Sequence, residues 1–362
     1  MLLFIALAHV PLFRYVSGGP APFDDLVALF QGTFVDNRAR PLFALLFGYG
    51  LVQLWNRHGD AVPRRRGFWL VVLGFLHVAL LGVADIIAVY GMVALVFAGM
   101  LRARDRTLWW GVGLSLLPVT VLGGILGADT AAGSGGIYDA VGTPPGELTP
   151  LLVSLFRVRL WPGEMVSGVL TVLPAVLLGI LAARHRVLDE PLRHRALLVK
   201  VAVTGLGVSV LGGLPLALIS AGMWADPSPL LASVAGAAHL PTGYAGGLGW
   251  AALIGLTAIR FSHRRGWIVT AVVAMGQRSM TFYLAQSVVF VVVFAPYAGG
   301  FGARLSMIVT AVVAVATWVS SLVVAELMRR ARYPGPAEVL LRRLPHGKPG
   351  NGVPSPRRTG ER

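Results

Sequence analysis

The sequence contains no cysteine, and charged residues are scarce, at 13% of its 362 residues. The absence of cysteine excludes disulfide bonds and catalysis by a thiol. A soluble chain of this length would carry roughly a quarter charged residues. Instead, 56% of the residues are hydrophobic and the mean hydropathy is +0.72, with apolar runs of about 20 residues, the length that crosses a bilayer. These features predict an all-α integral membrane protein.

Acidic residues are also few, 16 against 31 basic residues, and the formal net charge is +15. Most of the basic residues lie in five segments between the apolar runs. If alternate connections lie on one side of the bilayer, these five segments share a side, which is the positive-inside pattern. The charge therefore does not require nucleic acid as a partner. The pattern predicts cytoplasmic termini, and the basic loops suit anionic phospholipid headgroups. The clusters are Arg57 with Arg64, Arg65 and Arg66; Arg102, Arg104 and Arg106; Arg184, Arg186, Arg193, Arg195 and Lys200; Arg260, Arg264 and Arg265; and the basic residues from Arg329 onward.

We predict about ten transmembrane helices within one domain, residues 1–330. The first apolar run, Met1 to Phe13, would cover only about 20 Å of a roughly 30 Å hydrocarbon core, so we expect a truncated or shallow first helix. A cytoplasmic amphipathic segment, 331–345, and a disordered basic tail, 346–362, follow the domain. The predicted spans are 1–13, 39–56, 67–83, 85–101, 107–127, 165–183, 200–222, 230–259, 267–297 and 304–328.

Two further helices are predicted at the membrane surface. In an outer loop, Thr149 and Pro150 can serve as the cap and first residue of a helix. The next residues, LLVSLFRVRLW, mix apolar side chains with Arg157 and Arg159, which suits an interfacial helix. That helix would either cover an outward cavity or serve only as a connector. The second surface helix, GPAEVLLRRL from Gly335, follows the last span.

The stretch MGQRSMTFYLAQSVVF, 275–290, is unusually polar for a membrane helix. Residues 267–297 would extend about 46 Å as one helix, too long for one perpendicular crossing, so a break is predicted at Gly276. Four polar residues beyond it fall within an arc of about 100° on a helix. They should face other helices or a wet cavity, either as hydrogen bonds between helices or as part of a site. They are Ser279, Tyr283, Gln286 and Ser287.

A second polar group lies in GFLHVALLGVADIIAVYG, 74–91, where His77 and Asp85 flank a tight helical hairpin. Such a pair can form a general base with its orienting partner, a proton relay, or a structural hydrogen bond. His9 is a third candidate, and Arg38 and Arg40 precede the second span on the outer side, where they would hold an anionic substrate or headgroup or anchor the helix. No metal-ligand spacing and no phosphate-binding glycine loop occurs in the sequence.

Four blocks, in order, resemble the YeiB-like family of uncharacterised bacterial multipass membrane proteins. They are FVDNRARPLFALLFGYG (34–50), RRGFWLVVLGFLHVALLGVADIIAVYG (65–91), MGQRSMTFYLAQS (275–287) and YPGPAEVLLRRL (333–344). The resemblance implies a multipass protein of the bacterial plasma membrane. Family positions correspond here to Phe47, Gly48, Gly74, His77, Asp85, Tyr90, Gly276, Arg278, Thr281, Tyr283, Gln286, Ser287, Gly335, Pro336 and Glu338.

The family is similar in hydropathy to transmembrane acyltransferases, and this similarity implies the first hypothesis. The protein would move an acyl group from acyl-coenzyme A, as donor substrate and not as a bound cofactor, to an envelope or secreted acceptor. His77 or His9 would be the base and Asp85 its partner, and Arg278 with the inner basic loops would contact the donor phosphate. The second hypothesis is a proton-coupled transporter or exporter in which Asp85 and His77 relay protons and the polar face of residues 279–287 lines the path. Tyr90 is a further candidate for binding the substrate. The third is a structural membrane scaffold.

Overall fold

The computed structural model describes residues 1–13, 23–82, 85–133, 148–261 and 266–344. The described residues are mainly helical, as the apolar runs predict. The helices are α1 (Leu2–His9), α2 (Asp24–Phe34), α3 (Ala39–His58), α4 (Ala61–Leu80), α5 (Ile87–Val96), α6 (Asp105–Ala131), α7 (Pro150–Arg184), α8 (Arg195–Ser220), α9 (Pro229–Arg260), α10 (Trp267–Gly276), α11 (Ser279–Phe294), α12 (Met307–Arg330) and α13 (Pro336–Arg343). The predicted basic tail, 346–362, lies outside the described residues.

Each of the ten predicted spans contains helix, but fewer helices qualify as crossings. Within the described residues, α6, α7, α8, α9 and α12 are long and apolar enough to cross a membrane, and the bent pair α10 and α11 adds a sixth when it is counted as one span. Helices α1 and α5 are shorter. The predicted number of ten crossings is therefore not confirmed, and the cytoplasmic placement of the termini stays a prediction.

The predicted break in 267–297 is confirmed. Helix α10 ends at Gly276, α11 begins at Ser279, and the two helices meet at an angle of 84°. The bend redirects the second half of this segment into the bundle. As a result Tyr283, Gln286 and Ser287 face protein instead of lipid, and all three are buried.

The helix that begins after Thr149 is longer than predicted. Thr149 caps the helix as expected, since its side chain accepts a hydrogen bond from Leu152 N, but the helix continues without interruption to Arg184. The predicted surface helix is thus the first part of the 35-residue α7. Pro162 removes one backbone hydrogen bond without ending the helix, and Trp161 packs edge-on against Phe75 of α4.

Helix α2 was not predicted, because the segment between the first two spans carries no long apolar run. Its Asp24 accepts a hydrogen bond from Ile308 N at the start of α12. Helix α2 is therefore attached to a helix that lies far from it in the sequence. Close packing elsewhere depends on glycine: Gly48 of α3 and Gly179 of α7 face backbone carbonyl groups that leave no space for a Cβ. Small residues commonly allow such close approach between membrane helices.

Several basic clusters share one end of the bundle, which we call the basic end. Arg102 forms an ion pair with Asp60, between α3 and α4. Arg184, at the end of α7, pairs with Asp105 at 2.7 Å, at the start of α6. These contacts bring together three of the clusters found in the sequence, in agreement with the predicted shared side.

Candidate functional site

His77 lies between a carboxylate and a hydroxyl group. Its Nδ1 is 3.2 Å from Asp85 Oδ1, within ion-pair range but not aligned as a hydrogen bond. Its Nε2 is 2.9 Å from Ser287 Oγ, and that hydroxyl donates to the carbonyl oxygen of Tyr283 at 3.3 Å. The side chains of His77, Asp85 and Ser287 are all buried. The predicted proximity of His77 and Asp85 is therefore present, and an imidazole oriented by a carboxylate is the arrangement of a general base.

The start of α5 holds Asp85 in place. Its Oδ1 accepts from Ile87 N at 3.1 Å and its Oδ2 from Ala88 N at 2.6 Å. A carboxylate side chain is a common partner of the free N–H groups at a helix N-terminus, so these bonds fix the position of Asp85. Gly74 of α4 provides the space: a Cβ there would lie 2.5 Å from the Cβ of Ala88 and closer still to the Asp85 carboxylate.

Buried polar groups without a hydrogen-bond partner among the described residues lie around His77, Asp85 and Ser287. The ring of Tyr283 is 5.2 Å from that of His77 and 6.0 Å from that of His9, between centroids. Among the described residues, the hydroxyls of Tyr90 and Tyr283 and both amide atoms of Gln286 have no hydrogen-bond partner. Leaving such groups buried and unpaired is costly. Two of these residues, Tyr90 and Tyr283, border a cavity in which water can satisfy their hydroxyl groups.

A cavity of about 440 Å³, here the basic cavity, reaches this region from the basic end. Arg66 and Arg342 lie on its wall, as do the two tyrosines Tyr90 and Tyr283. Its volume is within the usual range of small-molecule sites. The rest of the wall is mainly apolar and includes Phe43, Leu46, Phe47, Leu70, Ile87 and Leu341.

A second cavity, here the small cavity, lies on the other side of Asp85. It has a volume of about 160 Å³, and its polar residues include Arg40, Asp85 and Glu164. At about 30 Å³ each, roughly five water molecules would fill it. Ile86 lines both cavities. The residues next to His77 therefore form a wall between two spaces.

Arg278 has a structural environment. Its Nε and Nη2 donate to the carbonyl oxygen of Tyr333 at 3.2 and 2.9 Å, and its Nη1 donates to that of Ala274 at 2.9 Å. These bonds fix the chain between α12 and α13 against the bend at the start of α11. The guanidinium thus binds backbone carbonyl groups, whereas the sequence suggested a donor phosphate.

Glu338 completes this attachment, which we call the α13 clamp (Arg278, Thr281, Gly335 and Glu338). Glu338 Oε1 accepts from Met280 N at 2.8 Å and Thr281 N at 3.2 Å, and its Oε2 accepts from the Thr281 hydroxyl. A Cβ at Gly335 would overlap the Glu338 carboxylate. The third and fourth sequence blocks therefore meet at the N-terminus of α11.

Arg38 is the centre of a separate buried group. It donates from Nε to Ser209 Oγ at 2.9 Å, from Nη2 to Ser209 O at 2.8 Å, and from Nη1 to Gly32 O at 2.9 Å. His239 Nε2 is 3.2 Å from Nη1. With 1% of its surface exposed, Arg38 connects α2, α8 and α9. Arg40, in contrast, is exposed and lines the small cavity.

Two residues of these groups escaped the sequence reasoning. His239 lies inside a long apolar segment, and only its distance to Arg38 reveals its partner. Glu164 follows Trp-Pro-Gly just before the predicted sixth span, and a carboxylate at that boundary was a usable signal. Arg157, predicted at the interface, is instead buried. Within the described ranges, no group of three His, Cys, Asp or Glu side chains is placed to hold a metal ion.

A helical bundle with apolar crossings and a buried His–Asp pair defines the chain as an integral membrane protein with an internal polar site. Residues 182–348 match a family model described as "Protein of unknown function (DUF418)". This family comprises uncharacterised YeiB-like membrane proteins, and the resemblance predicted from the sequence is confirmed. The match includes the third and fourth blocks, with the α13 clamp. Comparison with curated proteins and with solved structures finds no match.

Proposed function

We propose that the protein is an acyltransferase of the bacterial plasma membrane. The observation that carries the proposal is the position of His77, held between Asp85 and Ser287 beside a wall that separates two cavities. An enzyme that joins a donor from one side to an acceptor from the other needs a base at such a wall. The basic cavity would admit the acyl thioester, and the small cavity would admit part of the acceptor.

The reaction needs one proton to move twice. His77 takes the proton from the acceptor hydroxyl while the hydroxyl oxygen attacks the thioester carbonyl carbon. The carbon–sulfur bond then breaks, and the leaving thiolate receives the proton from His77, which gives an ester and a free thiol. Asp85 orients the imidazole and stabilises its protonated form.

Two tyrosine hydroxyls suit the developing oxyanion. Tyr90 and Tyr283 line the basic cavity, and their hydroxyl groups have no partner within the described part of the chain. Preorganised donors of this kind are worth more in a dry site than in water. Tyr283 also stands between the cavity and His77, so its ring must turn aside or the acceptor must approach from Asp85. His9, whose ring is 6.0 Å from that of Tyr283, is the alternative candidate for the base.

The test is hydrolysis of acetyl-coenzyme A by the protein in lipid nanodiscs, with water in place of the unidentified acceptor. His77→Gln should lower the rate by about 10²-fold or more, the usual contribution of a general base. His185→Gln, an exposed histidine at the basic end, is the matched control and should be unchanged. Hydrolysis that is equal in the two variants would remove His77 from the mechanism.

A proton-coupled transporter is the second candidate, and the 84° bend between α10 and α11 favours it. Interrupted helices in membranes are tolerated where they line a cavity, and transporters use them at their substrate sites. In this case Asp85 and His77 would relay protons between the two cavities. Proton flux into proteoliposomes, lost in Asp85→Asn, together with no thioester hydrolysis would select the transporter.

A further inference from the structure

Two arginine side chains from distant parts of the sequence share one wall of the basic cavity. Arg66 comes from the first turns of α4, and Arg342 comes from the last turn of α13. No carboxylate is within ion-pair distance of Arg66 in the part of the chain that the structure describes. Like charges repel at short distance, so a fold that brings two cations to one cavity has an electrostatic cost.

Arg66 faces the cavity and is accessible, yet protein atoms surround its guanidinium. This partial burial lowers the pKa of Arg66, and the charge of Arg342 lowers it further, while Glu338 acts in the opposite direction. Although Arg66 is exposed, its guanidinium has lost part of its hydration to the cavity wall, and no ion pair with a carboxylate of the described residues replaces it. An anion bound between the two arginines would supply that ion pair.

The α13 clamp fixes the position of Arg342. Both carboxylate oxygens of Glu338 accept hydrogen bonds from the start of α11, and Arg278 holds the preceding chain through the carbonyl of Tyr333. Glu338 lines the same cavity as the two arginines, but its carboxylate is directed to a helix N-terminus. The result is a fixed cation at the cavity entrance.

Most of the other residues that line the cavity are apolar. They include Leu70, Ile87 and the rings of Phe43 and Phe47. A ligand that fits two arginines and an apolar wall has a negatively charged head and an apolar or acyl-bearing arm. Arginine binds phosphate groups especially well because its planar donors match the phosphate oxygens.

We propose that Arg66 and Arg342 bind the phosphate group of an amphiphilic ligand whose acyl-bearing arm enters the basic cavity. The phosphate can belong to an acyl-coenzyme A or to an anionic phospholipid. The first source rests on the proposed acyltransferase function, and the second does not. The proposal also replaces Arg278 as the contact to the donor phosphate, because its donors already bind backbone carbonyl groups.

The experiment measures equilibrium binding of radiolabelled palmitoyl-coenzyme A to the full chain in nanodiscs of zwitterionic lipid. Arg66→Gln and Arg342→Gln should each weaken binding about tenfold, the usual worth of one charge-assisted hydrogen bond. Arg65→Gln and Arg343→Gln are matched controls, because each neighbours a cavity arginine in the sequence without lining the cavity. Added salt should weaken wild-type binding more than binding by the two cavity variants.

Two competitors distinguish the source of the phosphate. Displacement by coenzyme A without an acyl chain assigns the site to a nucleotide phosphate, whereas displacement by phosphatidylglycerol in the nanodisc assigns it to a lipid headgroup. In both cases the arginine dependence supports the site. Equal affinities in the cavity and control variants, or no saturable binding to the wild type, would overturn it.

Binding and turnover also separate the two proposals. If the wild type binds palmitoyl-coenzyme A through the two arginines but never hydrolyses a thioester, the acyltransferase proposal fails and the anion site stands. If hydrolysis depends on His77 but binding does not depend on Arg66 or Arg342, only the anion site fails. The two cavity arginines, Arg66 and Arg342, and the two control arginines, Arg65 and Arg343, are all exposed. A melting temperature for each of the four variants establishes that it is folded.

Discussion

Replacing Gly74 by alanine tests whether the close approach of α4 to α5 positions Asp85. The new Cβ would lie 2.5 Å from the Cβ of Ala88 and would overlap both the Asp85 carboxylate and the Ala88 nitrogen. Ordinary contact between carbon atoms is about 3.5–4.0 Å, so α5 must move by roughly 1 Å. Asp85 moves with α5, because two N–H groups at the start of that helix bind it. His77 remains on α4, and its 3.2 Å contact with Asp85 should lengthen.

The expected magnitude comes from two opposing terms. Alanine is favoured over glycine inside a helix by about 1 kcal/mol, whereas overpacking a well-packed site costs typically about 1–3 kcal/mol. Gly113→Ala, in α6, provides the matched control because nothing lies within 4 Å of its Cβ position. The helix term cancels between the two variants. Gly74→Ala should therefore be less stable than Gly113→Ala by about 1–3 kcal/mol.

A double-mutant cycle on the free energy of unfolding in mixed micelles shows whether the effect passes through Asp85. In an Asp85→Ala background the clash with the carboxylate is gone, so Gly74→Ala should be less destabilising by at least about 0.5 kcal/mol. Equal stability of Gly74→Ala and Gly113→Ala would refute the packing argument. Additive effects of the two substitutions, within about 0.5 kcal/mol, would refute the role of the carboxylate.

Two further predictions concern groups away from His77. Arg38→Met should reduce the free energy of unfolding by about 1–3 kcal/mol, because the backbone carbonyl groups around Arg38 lose their donor. Arg40→Met, at an exposed position nearby, is the control and should change the free energy of unfolding by less than about 0.5 kcal/mol. Equal effects of the two substitutions would contradict the buried role of Arg38. Glu338→Ala should increase hydrogen exchange at the amides of Met280 and Thr281, measured by mass spectrometry, and should leave exchange in α12 unchanged. Unaltered exchange at both amides would show that the α13 clamp is not needed to fix the start of α11.

Local features of the fold were readable from the sequence. The excess length of 267–297 and the glycine at its centre predicted the break at Gly276, and the short connection between two apolar helices predicted that His77 would lie near Asp85. Both are short-range arguments, in which helix geometry alone fixes the spacing. The polar face of α11 followed from the same periodicity.

Contacts between distant segments were not readable in this way. Arg38 looked like a residue at an outer mouth because its neighbours in the sequence are polar. Its partners Ser209 and His239 belong to α8 and α9, and no local pattern connects them to α3. The predicted number of crossings stays unconfirmed for a related reason. Apolar composition marks a helix that avoids water, but it does not separate a membrane crossing from a helix buried among its neighbours, such as α5.

The polar residues of the third block divide by how their hydrogen-bonding groups are satisfied. Arg278 donates to the backbone carbonyl groups of Tyr333 and Ala274, and Thr281 bonds Glu338. Contacts within the fold therefore account for both residues. Tyr283 and Gln286, one and two turns further along α11, are buried with polar atoms that nothing in the described chain satisfies. An apolar surrounding makes such groups expensive to retain for stability alone. The same short stretch thus begins with residues that the fold satisfies and continues with buried polar groups that no described residue satisfies, close to His77.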